Sequence, residues 1–325
     1  MPTLALTGDV MLGRGVNEAL RHMRPEDPWG DLLPLLAAAD ARIINLECAL
    51  TDHRQPWMRT PKVFHFRADP SAIAVLQAAR TDACSLANNH VLDYEEQGLL
   101  DTLAHLDAAG ISHAGAGRNL EEALRPALFD AAGECVGFVA FTDNEPDWAA
   151  GPDHPGTAYL PVSLEPAVLG RVEAAIAAAR QAGAQTVVFS NHWGPNMAQR
   201  PSGTFRCFAR AVMDRGADLY YGHSAHIFQG VEVYRGKPIL YDTGDLIDDY
   251  AVDPMLRNDW SFLFQVVLEK GALCRLELFP VALSHARAHR AAGEVRTAIM
   301  DRMARLSAGM GTAFERRADR LVLRA

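Results

Sequence analysis

Four polar turns constrain this chain more than any other feature: Gly8-Asp9, Ala87-Asn88-Asn89-His90, Ser190-Asn191-His192-Trp193 and Gly222-His223-Ser224-Ala225-His226. Each follows an apolar run that reads as a buried strand. Parallel strands that end in Asp, Asn or His bring those side chains into one crevice at the carboxyl edge of a sheet, where open α/β folds place their chemistry. Together these residue types make a metal-ligand inventory.

The order of elements supports an α/β class. Leu4 to Thr7, Ala41 to Leu46, Asp82 to Leu86, Val136 to Phe141, Thr186 to Ser190 and Asp218 to Tyr221 read as strands. Ser71 to Ala79, Gly98 to Ala109, Leu164 to Ala182 and Thr204 to Arg215 carry apolar residues at helical spacing. Such alternation predicts βαβ units. After Gly222 the pattern changes to two hairpins, Gly230 to Tyr241 and Phe262 to Phe279, which predict a second sheet packed on the first. A helix from about His289 to Ala308 and a strand from Arg320 to Leu323 close the chain. No linker-like or repetitive stretch interrupts it, so residues 1–325 are expected to form one domain.

Charge narrows the partners. A formal net charge of -9 argues against nucleic acid as the main ligand, because phosphate backbones need a clustered Lys/Arg footprint. A small anionic or peptide substrate is compatible with local basic residues. No membrane span is expected, since no run approaches about 18 apolar residues. The opening Met1-Pro2-Thr3-Leu4 lacks a basic n-region and a cleavage site, which makes cytoplasmic the expected location. Five widely spaced cysteines, Cys48, Cys84, Cys135, Cys207 and Cys274, read as reduced core residues.

Within the turns, His223 and His226 lie three residues apart beside a glycine and could approach one ion or two adjacent ones. His192 ends what reads as a neighbouring strand. Asn89 offers a neutral amide oxygen, and an unligated His90 next to it could give or take a proton, although an Asx turn also accounts for an asparagine here. Asp9 and Glu47 either cap helices or supply the negative charge that two close divalent cations require. Two long irregular stretches, Thr51 to Arg67 and Asp143 to Pro155, are equally compatible with lids and with ordered surface loops.

These turns, in this order, resemble the calcineurin-like metallophosphoesterase superfamily, and more closely the CapA or poly-γ-glutamate capsule biosynthesis family. The matching stretches are Gly8-Asp9-Val10-Met11-Leu12-Gly13-Arg14, Asn45-Leu46-Glu47, Ser85 to His90 with Asp93, Gly98 to Leu103, Gly115-Ala116-Gly117, His192-Trp193-Gly194, and Gly222 to His226 running on to Tyr241. They span about residues 3 to 250. The resemblance implies a four-layer α/β/β/α sandwich holding one or two divalent metal ions, of the Mn, Zn, Fe, Mg or Ca group. By that resemblance Asp9 and His226 would hold the first metal, Glu47 would bridge, and Asn89, His192 and His223 would hold the second. His90 would be the proton-transfer group, with Asp242 and Asp245 near by.

Departures from the superfamily pattern matter as much. Where phosphoesterases carry Asp-x-His, this chain has Met11, a poor ligand for a hard cation, so the first metal is expected to lose a ligand. Where CapA-like chains commonly read Gly-Asn-Phe, this one reads Gly244-Asp245-Leu246. Three functions follow as expectations. Metal-activated hydrolysis of a γ-glutamyl, peptide or phosphoester substrate would use His90 to protonate the leaving group and Arg14 to bind substrate charge. Metal-assisted epimerisation at a peptide Cα would use His90, His192 or Asp245 as acid and base. A non-catalytic accessory role in poly-γ-glutamate assembly is the third.

Overall fold

Thr3–Val10 and Ala41–Leu46 are buried along almost their whole length, as parallel strands covered on both faces must be. They pair in parallel with each other, and Ala83–Ser85 and Ser112–Ala114 continue the same sheet. The other parallel strands, Glu134–Thr142, Thr186–His192, Leu219–His223 and Lys237–Leu240, form a second sheet. The computed structural model describes residues 1–324.

Alternation along each strand sets the packing, because successive side chains point to opposite faces. Leu4 and Leu6 of the first sheet share one apolar cluster with Val136, Phe138 and Ala140 of the second. Ala5 and Ile44 instead join Leu76, Leu99 and Leu103 from helices Ile73–Ala78 and Glu95–Ala109. Val139, Phe141, Val187 and Phe189 pack against Val172, Ile176, Phe208 and Val212 of helices Pro166–Gln181 and Gly203–Asp214. The two sheets therefore face each other, and each carries helices on its far face.

The hairpins do not build the second sheet, contrary to the expectation above. Val231–Tyr234 with Lys237–Leu240 only extends its edge. Trp260–Glu269 with Ala272–Ser284 joins the first sheet, pairing antiparallel with Thr3–Val10. The physical reason is the free edge of Thr3–Val10: its unpaired backbone groups take the hairpin as a partner. The last helix begins at Gly293 rather than His289, because Arg287–Arg290 is a strand on Ala272–Ser284. All five cysteines are free; Cys48 and Cys84 are buried, whereas Cys207 is exposed rather than in the core. Among the described residues no helix is long and apolar enough to cross a membrane.

Register brings the polar residues together. Asp9 pairs with Asn45 on one side and with Asp245, in the short parallel strand Asp245–Ile247, on the other. His192 pairs with His223 in the opposing sheet. At Gly8 a Cβ would lie 2.3 Å from the Gly244 carbonyl oxygen, so only glycine lets the Asp9 and Asp245 strands close here.

Candidate metal centre

Asp9, His192 and His223 are the last or nearly the last residues of their strands rather than parts of turns. They come from two different sheets, so the crevice lies between sheets and not along one edge. Their ligand atoms converge in one group, and Asp9, Glu47, His226 and Asp245 converge in a second; within each group all lie within 4.8 Å of one another. Asp9 belongs to both.

The first group is rich in oxygen. His226 Nδ1 lies 2.9 Å from Asp245 Oδ1 and 3.8 Å from Asp9 Oδ2. The Tyr250 hydroxyl donates to Glu47 Oε2 at 3.3 Å. In the second, His192 Nδ1 faces His223 Nδ1 at 2.8 Å, while His223 Nε2 meets Ser190 Oγ at 2.8 Å. His192 Nε2 lies 2.9 Å from Asn89 Oδ1 and 3.5 Å from Glu47 Oε1. All six residues named by the metal assignment thus meet in one place, and Asp245 joins them.

These residues fit a divalent cation. Asp9 Oδ2, Glu47 Oε1 and Asp245 Oδ2 are buried and accept no hydrogen bond, a costly state for a carboxylate. Burial, reinforced by Glu47 and Asp245, raises the Asp9 carboxyl well above its ordinary range. Burial, with Asp245 beside it, pushes Glu47 up to about 8. Burial raises Asp245 as well, with Asp248 and Asp242 adding to it. Burial also holds His192 well below the usual imidazole range and His223 at about 3, which leaves neutral ring nitrogens free to act as ligands.

Met11 does not face this centre. Its side chain is fully buried in the helix-side core, and its sulfur accepts the Gly13 N–H at 3.0 Å. Asp245, carried by a different strand, brings a carboxylate to the group that Met11 does not reach. Asp242 behaves as an ordinary turn carboxylate: it accepts the Ala225 and Gly244 N–H groups at 2.8 Å each and braces the loop that carries His226.

His90 stands beside the groups without joining either. Its Nδ1 lies 2.5 Å from Asp93 Oδ2, and the Phe66 ring stacks on it with centroids 3.8 Å apart. Burial and then Lys62 hold His90 well below its ordinary value. Burial pushes Asp93 up to about 8 despite Lys62 near by. The Asn88 side chain accepts the His90 N–H at 3.0 Å, the Asx turn foreseen for this segment, and also donates to Asn45.

Above the centre lies a cavity of about 560 Å³, lined by Asn89, His90, His226, Arg14, Lys62 and Tyr250 among others. The stretch Thr51 to Arg67 supplies Pro61, Lys62, Val63, Phe64 and Phe66 to its wall, and the stretch Asp143 to Pro155 supplies Glu145. Arg14, Glu145, Met197 and His226 line it with positive φ angles of 51°, 48°, 60° and 59°. Strain of that kind in non-glycine residues gathers at functional sites. Arg14 is half-exposed, ion-paired to Asp249 at 3.2 Å, and lies over the Phe64, Phe66 and Tyr250 rings.

Lys62 gave no signal in the sequence, where it is one cation in an irregular loop. Its ammonium is buried and reaches the Asn89 carbonyl at 2.5 Å, Glu145 at 3.2 Å and Asp93 at 3.3 Å. It thereby pins both long stretches to the turn that carries Asn89 and His90. Lys62→Met removes the buried donor to the Asn89 carbonyl and the cation beside Asp93 and Glu145, and is expected to cost about 1–3 kcal/mol in chemical denaturation. A loss under about 1 kcal/mol, the scale of a surface pair, would mean that the ammonium pins nothing. Asp93 enters the sequence reading only through the family resemblance, and Tyr250 does not enter it at all.

A family model described as bacterial capsule synthesis protein PGA_cap matches residues 3–250. A probable polyglutamine synthesis accessory protein of Mycobacterium tuberculosis is 34% identical over 98% of this chain and 95% of its own length. The PGA biosynthesis protein CapA of Bacillus subtilis is 28% identical, covering 87% of this chain and 72% of that protein. The capsule biosynthesis protein CapA of Bacillus anthracis is 27% identical, covering 86% and 67%. Matched along its motif-bearing length and against a relative over nearly all of it, the chain belongs to the bacterial capsule synthesis protein PGA_cap family.

Proposed function

We propose that this protein is a metal-dependent hydrolase acting on a γ-glutamyl, peptide or phosphoester bond. The observation that carries the reading is the position of His90: braced by Asp93, on the wall of the cavity, next to two groups of ligand atoms among which the buried Asp9 Oδ2, Glu47 Oε1 and Asp245 Oδ2 lack partners. The helix, sheet, sheet, helix arrangement accords with the four-layer sandwich of calcineurin-like metallophosphoesterases. The same reading takes residues 260–324 as completing one domain, which the direct pairing of their hairpin with Thr3–Val10 supports.

In this reading Asp9, Glu47, His226 and Asp245 would hold one divalent ion, and Asp9, Glu47, Asn89, His192 and His223 would hold the other. When bound, such ions supply Lewis acidity that activates water and stabilises charge on the scissile group. The protein's residues do the rest. Once Asp93 ionises, as the pH passes about 8, neutral His90 turns its Nδ1–H to that carboxylate, and Nε2 is then the acceptor for the proton of the attacking water and returns it to the leaving group. Burial keeps the imidazole neutral, so in the give-or-take role expected from sequence it takes up a proton before it gives one. Arg14, held by Asp249 and aromatic rings, presents its remaining N–H groups to an anionic substrate.

Asp245 is fully buried, bonded to His226 and absent from the cavity wall, which counts against its use as an epimerase acid or base. A second reading, a non-catalytic accessory role, draws on the name of the Mycobacterium tuberculosis relative, a probable polyglutamine synthesis accessory protein. Metal analysis of protein purified without chelator, followed by assays on γ-glutamyl peptides and a phosphoester in D₂O, separates the readings. Bound metal with bond cleavage is the expected result. Deuterium entering Cα without cleavage would establish epimerisation instead, and metal-free, inactive protein would favour the accessory role.

A further inference from the structure

We propose that Asp245 is a direct ligand that makes the Asp9, Glu47, His226 group an oxygen-rich site for a hard divalent ion of the Mn²⁺ class, beside a site that carries two imidazoles, His192 and His223. The inference rests on the metal-dependent reading above and concerns which ion each half prefers.

The donor sets differ in kind. One group offers three carboxylates and one imidazole, whereas the other joins two imidazoles to Asp9. Carboxylates suit Mg²⁺, Ca²⁺ and Mn²⁺, and imidazoles suit Zn²⁺, Cu²⁺ and Fe²⁺. A single imidazole among carboxylates favours Mn²⁺ within the hard set. Asp245 belongs to the first group by construction: it is the register partner of Asp9, and its Oδ2 is buried without a hydrogen bond. The same is true of Asp9 Oδ2 and Glu47 Oε1, so each carboxylate keeps one oxygen uncommitted. No nitrogen comes from position 11, where the Met11 sulfur is bonded to the Gly13 N–H and packed in the core. An aspartate at position 245, where an amide would give a neutral donor, adds a full negative charge to a group that already has two.

The competing role for Asp245 is to orient His226 through their 2.9 Å contact, without touching a metal. Calorimetric titration of chelator-stripped protein with Mn²⁺ and with Zn²⁺, together with the spin-resonance signal of free Mn²⁺, tells the two apart. Asp245→Asn keeps the volume and a hydrogen-bond acceptor but removes the charge; Mn²⁺ affinity is expected to fall about 10–100-fold while one tight Zn²⁺ is retained. Asp245→His, tested in parallel, is expected to shift preference from Mn²⁺ toward Zn²⁺ by at least about tenfold. If the variants, shown to be folded by circular dichroism, lose Mn²⁺ and Zn²⁺ affinity in parallel with no change of preference in Asp245→His, Asp245 only orients His226, and if both hold Mn²⁺ within about threefold of wild type it does neither; each of these outcomes overturns the inference. Wild-type protein that binds neither ion would instead overturn the metal-dependent reading itself.

Discussion

Metal-free protein is expected to lose stability as the pH rises from 6.5 to about 8, and a divalent ion is expected to cancel that loss. Folding holds protons on buried carboxylates that the unfolded chain releases: Glu47 and Asp93 are each pushed up to about 8, Asp242 to about 7, and Asp9 and Asp245 well above their ordinary values. The folded state then binds more protons than the unfolded one, so stability falls with pH through this window. The slope is about 1.4 kcal/mol per pH unit for each retained proton. Below 6.5 the trend is opposed, because folding keeps His90, His192 and His223 neutral while unfolded imidazoles take up protons. The clean window therefore begins at the ordinary imidazole value of 6.5. An ion present at about 100 times its dissociation constant adds about 2.7 kcal/mol and competes with the protons, so its benefit grows as the pH rises. Thermal unfolding at pH 6.5, 7.25 and 8, with chelator and with Mn²⁺, measures both effects; a flat profile in chelator would show that these carboxylates are not crowded as described.

His90→Ala is expected to lower turnover of the identified substrate by about 10²–10⁴-fold. Metal content should stay at the wild-type level, because His90 belongs to neither ligand group. The change also removes the ring on which Phe66 stacks, so a fall in melting temperature accompanies it. That fall alone does not explain a loss of turnover measured well below the melting point. Asp93→Asn leaves the imidazole in place but weakens its hold on Nδ1, and should lower turnover less than His90→Ala while moving the pH profile. Unchanged turnover in metal-loaded His90→Ala would remove His90 from the reaction.

Legibility in the sequence followed the local physics. Strand ends such as Asp9, His192 and His223 were recognisable because apolar runs of strand length stop at polar side chains, and period and length need no knowledge of partners. The Asx turn at Asn88 is local for the same reason. The Asp242 bonds are local too, which is why its reading as a turn carboxylate holds. By contrast the division of parallel strands between two sheets is not legible locally, since alternation is identical whichever sheet a buried strand joins. His289 was placed in a helix because the pattern Arg287 to Arg290 has too few residues to declare its period against a long helix that follows.

What the sequence determined by itself was an α/β fold, a family, and a set of ligand types waiting at strand ends. Only tertiary structure decided how those ligands divide. Asp245 reaches Asp9 through strand register over 236 positions of sequence separation (245 − 9), and Met11 is lost to the core although it lies only two residues from Asp9. Lys62 becomes a buried clasp through three contacts that no local pattern encodes. The physical reason is range: propensity, periodicity and turn chemistry act over a few residues, whereas the charge around a buried carboxylate depends on whichever strands and loops the fold packs beside it.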